Sequence, residues 1–219
     1  MQDKSTFSAA KSTALLFGIL AGLGGLTHGV GEVLQGNVKP DGIFVNSWTQ
    51  GPIATNMGGE PGITIIPNVL ISGILTILIS LTIIVWAIFG RDKHYGRTLL
   101  LLSIGLLLVG GGVGPPLIGM LAGVAGMGFE KPSTWWHQHL PESIRHFLAL
   151  LWPWVFGVAA VNGVFLVIGS VVLVYFFDLN KPFLFLNSFY FSILSLLLTV
   201  FTGRAYDVQK DKNQLNPII

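Results

Sequence analysis

Residues 98–129 read TLLLLSIGLLLVGGGVGPPLIGMLAGVAGMGF, an apolar run broken only by glycine and two prolines. A bilayer's hydrocarbon core is about 30 Å thick, and a helix of about 20 apolar residues crosses it. This run is too long for one straight crossing. Gly110-Gly111-Gly112-Val113-Gly114-Pro115-Pro116 interrupts it. Proline removes a backbone donor and glycine loosens the chain, so the stretch predicts a kink or a break.

Four further apolar stretches lie around it, at roughly 13–35, 62–89, 147–177 and 182–203. Charged residues make up 10% of the chain of 219 residues and hydrophobic ones 52%, with a mean hydropathy of +0.71. Soluble domains carry about 25% charged residues. The 12 basic and 10 acidic side chains here cannot cover a core of this size. The expected fold is all-α: a polytopic integral membrane bundle of about five transmembrane helices, the third kinked or broken. Splitting the third segment at Pro115-Pro116 gives six passages, the main rival topology.

Residues 1–11 form a polar tail, 12–203 a single helical domain and 204–219 a second polar tail. Lys4 and Lys11 precede an apolar run, as in a signal peptide. The run continues to Leu34 without a clean small-residue cleavage site, so a retained helix is expected. With five passages, the turns at 91–97 and 178–181 share the N-terminal face. The two long loops, 37–62 and 130–145, and the C-terminal tail then share the other. Basic residues in the short early loops favour a cytoplasmic N-terminus.

That parity gathers the ionisable residues at one face. His28 and Glu32, four residues apart, share a helical face. Gly18, Gly22, Gly25 and Gly29 form a small-residue stripe that contains Glu32, so Glu32 is expected to face protein rather than lipid. Glu60 and Asn68 lie at the start of the second segment. His137, His139, Glu142 and His146 lie in or beside the second loop, where Pro141 and Glu142 suit the N-terminal end of a helix. Ionisable groups within a bilayer tend to mark functional paths. Histidine and glutamate at this spacing could ligate a metal, relay a proton or hold a polar ligand. A plain reading is also open: a boundary pair reaching interfacial water, and a loop of tryptophans and histidines at headgroup depth. Asn162, midway along the fourth segment, is expected to hydrogen-bond another helix, and Asn68 to cap the second.

With no cysteine, disulfides, thiolate chemistry and iron–sulfur clusters are excluded. Haem or another metal could in principle use His28 with a loop histidine, but no cofactor is specified. No nucleotide-binding, zinc-protease or hydrolase-elbow motif occurs, and no basic stripe suggests nucleic acid. The expected partners are the lipid bilayer and a small or lipid-soluble ligand bound by the polar His/Glu group at one membrane face. Two alternatives remain: a transporter or channel component, assembled as a homo-oligomer, and an accessory subunit that docks its glycine stripe on a membrane-complex partner.

Overall fold

A computed structural model of the chain describes residues 8–90, 93–130 and 134–215. Helix α1 spans Ala9–Gln35. After it come strand β1 (Phe44–Asn46), the short helix α2 (Gly51–Met57) and strand β2 (Pro61–Ile63). Helices α3 (Val69–Phe89), α4 (Tyr95–Leu108) and α5 (Gly114–Glu130) follow. Then come α6 (Thr134–His139), α7 (Glu142–Val164), α8 (Ser170–Phe177) and α9 (Pro182–Leu215). A π-helical turn at Phe165–Gly169 joins α7 to α8. The fold is essentially all-helical. Four of its helices are long and apolar enough to cross a membrane: α1, α3, the continuous Glu142–Phe177 rod and α9 through Lys210.

The third apolar segment is two antiparallel helices. Gly96, near the start of α4, meets Gly123 and Gly126 of α5, while Ser103 meets Gly119. Glycine at both sides lets the backbones touch, since a Cβ on Gly96 would strike the backbone of Met127. Gly110 (φ 104°) and Gly112 (φ 78°) reverse the chain in a conformation that side-chain-bearing residues disfavour. Pro115 and Pro116 then fall in the first turn of α5, where a missing N–H is harmless.

The helices therefore run along the bundle six times, as in the rival reading, and residues 37–62 and 134–145 lie at opposite ends. At one end, the Asp207 carboxylate of α9 accepts from the backbone N–H groups of Ala9 (2.7 Å) and Ala10 (2.9 Å) and from the Ser8 hydroxyl (2.9 Å). Arg204 donates to the Gly128 carbonyl beside them, and Trp136 packs on Phe201 with ring centroids 4.8 Å apart. At the other end, Asn56 donates to Asp178 at 2.7 Å and Thr64 bridges to Val109.

The first loop is a folded cap. β1 and β2 pair antiparallel, Phe44 opposite Ile63. The Ile65 N–H donates to the Leu108 carbonyl at 2.9 Å, tying the cap to the end of α4. The glycine stripe of α1 faces inward as expected. Gly22 and Gly29 meet Ile84 and Ile77 of α3, and Gly18 meets Ala87 and Leu99. The central core is Phe17, Leu20, Ile83, Leu99, Leu106, Ile118 and Leu196 with small alanines between them. Buried Thr13, Ser103 and Thr199 donate to carbonyls within their own helices, so their hydroxyls cost little in the core.

Candidate functional site

His28 and Glu32 share the buried face of α1, with 6% and 0% of their surface exposed. The glycine reversal between α4 and α5 walls them in. A Cβ on Gly112 would fall on the His28 ring, and one on Gly110 would fall on the Glu32 carboxylate and Ser72. The α4–α5 break and the α1 pair are therefore parts of one structure.

The cap supplies the remaining members. The Ser47 hydroxyl lies 2.9 Å from His28 Nδ1 and 3.4 Å from Glu32 Oε1. Ser47 is fixed through its backbone: its N–H donates to the Glu60 carbonyl at 2.9 Å, and Gln35 Nε2 donates to its carbonyl at 2.8 Å. On the other side of the imidazole, Glu60 Oε2 lies 3.3 Å from His28 Nε2. This is ion-pair distance but poorly aligned, and Glu60 Oε2 accepts no well-formed hydrogen bond. The result is a continuous polar chain, Glu60–His28–Ser47–Glu32. Its far end, Glu32 Oε2, is buried and accepts no well-formed hydrogen bond either. Around it sits a shell of buried hydroxyls: Ser72 and Thr76 donate to the Val109 carbonyl at 2.5 and 2.8 Å, satisfying backbone that the break leaves unpaired.

Beside His28 and Glu60 lies a cavity of about 380 Å³. Met57 and Pro61 of the cap roof it. Leu20 and Ile118 form its inner end, Val167 and Val171 one wall, and Phe185 and Phe189 another. Among the described residues, His28 and Glu60 are its only ionisable lining groups. The π-helical turn presents Leu166 and Val167 to this space, and such turns recur at ligand sites.

The other expected site residues are elsewhere. Asn68 caps α3, accepting from the Ile71 N–H at 3.1 Å and donating to Asn37, and does not join the chain. His139, Glu142 and His146 are exposed at the opposite end of the bundle, so their grouping with His28 is corrected by the extra reversal. The His137 side chain lies outside the described residues. At that end, buried Arg145 donates to the carbonyls of Trp136 (3.1 Å) and Leu140 (2.9 Å), fixing α6 against the start of α7. Asn162 does bond another helix: it donates to the Ser188 carbonyl at 2.9 Å and accepts from the Ser188 hydroxyl at 2.6 Å.

Sequence reading missed Ser47 and the apolar wall of α8 and α9. A lone serine in a loop carries no signal, and aliphatic residues on an apolar helix look alike whether they face lipid or a cavity. Among the described residues, no three His, Asp or Glu side chains converge as a metal site would require. No known protein family, curated protein or solved structure matches this chain.

Proposed function

We propose that this chain is an integral membrane protein of six passages whose cavity binds a small lipid-soluble ligand, with His28 and Glu60 at its polar end. The observation that carries this is an apolar cavity of about 380 Å³ whose ionisable lining is confined to one end. Ligand pockets of this kind join a hydrophobic wall to a few placed polar groups. Membrane embedding is supported by the outer surface, where Leu78, Val85, Leu101, Leu150, Val161 and Leu194 are exposed along the helices. A cytoplasmic N-terminus is supported by basic residues. Lys11, Lys93, Arg97, Arg145, Arg204 and Lys210 belong to the N-terminal end, against Lys39 and Lys181 at the cap end. The cavity then lies toward the non-cytoplasmic face.

Transport is less well supported, since Phe17, Leu20, Ile118 and Ala122 pack below the cavity. Docking through the α1 glycine stripe is disfavoured because α3 and α4 already cover it. The test is mass spectrometry of molecules retained by the protein purified in detergent. Val171→Phe, which fills the cavity, is expected to lower the retained amount about tenfold, equivalent to about 1.4 kcal/mol. An unchanged set of retained molecules in this variant rejects the reading.

A further inference from the structure

The polar end of the cavity has fewer hydrogens than its polar links require when both carboxyls are ionised and the imidazole is neutral. The chain Glu60–His28–Ser47–Glu32 contains three links: His28 Nε2 to Glu60 Oε2 at 3.3 Å, His28 Nδ1 to Ser47 Oγ at 2.9 Å, and Ser47 Oγ to Glu32 Oε1 at 3.4 Å. Each link needs one hydrogen. With both carboxyls ionised and the imidazole neutral, only two are present, one on His28 and one on Ser47. If Ser47 donates to Glu32, His28 must carry its hydrogen on Nδ1, and two bare acceptors then face each other at Nε2 and Glu60. If Nε2 carries the hydrogen, Ser47 must turn to Nδ1 and Glu32 loses the Ser47 donor. A third hydrogen, on the imidazole or on the Glu32 carboxyl, completes all three links, and either placement still leaves one net negative charge. Among the described residues, no lysine or arginine lines the cavity to balance it. Glu60 Oε2, on a residue that lines the cavity, is shielded from water with no well-formed hydrogen bond. A shielded carboxylate oxygen left without a donor or counter-charge is costly, even on a side chain that is only partly buried.

We propose that the ligand is an amphiphile with a cationic, hydrogen-bond-donating head, an alkylammonium in chemical class. Its head lies under the cap at Glu60, and its chain runs along α1 toward Leu20 and Ile118. This rests on the pocket reading above and adds the head group. Carboxylate- or phosphate-headed lipids are disfavoured by the same charge count. A neutral alcohol supplies a donor but no charge, so it binds between the two.

The test uses the full chain in detergent micelles containing dodecylamine, dodecanol or laurate at equal mole fraction, with bound ligand counted by native mass spectrometry. The expected order is amine, then alcohol, then acid, with amine over acid by at least about tenfold. Glu60→Gln, which keeps shape and removes charge, is expected to abolish the lead of the amine over the alcohol. Glu60→Asp, which keeps charge, is expected to retain that lead, and serves alone should the glutamine variant not fold. Laurate binding as well as dodecylamine, or an order unchanged in Glu60→Gln, overturns the head-group assignment. If Val171→Phe still blocks all three amphiphiles, that failure leaves the pocket standing. If none of the three binds and Val171→Phe changes nothing retained, both proposals fall.

Discussion

Gly112 ties backbone conformation to the site at a single residue. Its φ of 78° disfavours any L side chain by about 1–2 kcal/mol, and its missing Cβ leaves room for the His28 ring. Gly112→Ala is therefore expected to lower the thermal midpoint in detergent and to displace His28, reducing ligand retention. Gly157→Ala is the control: it lies in the interior of α7 with open space around it. Alanine favours a helix interior by up to about 1 kcal/mol over glycine, so its midpoint should hold or rise. Ser47→Ala removes the hydroxyl between His28 and Glu32 and leaves buried groups unpaired, at about 1–3 kcal/mol. An unaltered midpoint in Ser47→Ala would show that the chain through this hydroxyl is not formed. Of these residues, His28 and Glu32 were legible because ionisable side chains on an apolar helix stand out against their background. Glu60 was legible as a candidate for the same polar group, whereas Ser47 was not, since its contact is set by where the cap folds.

Elements differed in how much of their placement was written locally. The N-cap of α3 is local: Asn68 precedes the apolar run and accepts from the Ile71 N–H. The start of α1 is only partly so: Ser8 accepts from the Lys11 N–H at 3.4 Å, while Asp207 of α9 satisfies the Ala9 and Ala10 N–H groups from far along the chain. Asp207→Ala is expected to cost about 1–2 kcal/mol, as loss of a helix cap does. It should also speed hydrogen exchange of the Ala9 and Ala10 amides while leaving the α3–α4 turn unaffected; unchanged exchange at those amides would show that the carboxylate does not cap the helix. The α4–α5 reversal was legible as a break, with a full turn as the rival reading, and nothing local chose between the two. Glycine and proline add no polarity, and the backbone they free is bonded inside the protein by Ser72 and Thr76. A dry turn therefore leaves no hydrophilic gap in a hydropathy profile.

For the whole molecule, the six traversals put residues 37–62 and 134–145 at opposite ends and bring Ser8 of the first helix's start to Asp207 of α9. The chain has no cysteine, so single introduced thiols report cleanly. Gly42→Cys, at an exposed cap position, is expected to react with a membrane-impermeant maleimide in intact cells. Ser143→Cys, exposed at the other end, is expected to react only after permeabilisation. Equal labelling of both from one side would overturn the arrangement. The sequence by itself determined the helical class, the apolar runs long enough to span a bilayer, the inward glycine stripe of α1 and the burial of Glu32. All of these follow from local composition and from the 100° step of a helix. Tertiary structure alone decided the number of traversals, which loop covers His28, and which aliphatic faces enclose a cavity. These depend on whether a glycine-rich break bends or reverses, and that outcome is fixed by hydroxyls and carboxylates reaching it from helices distant in sequence.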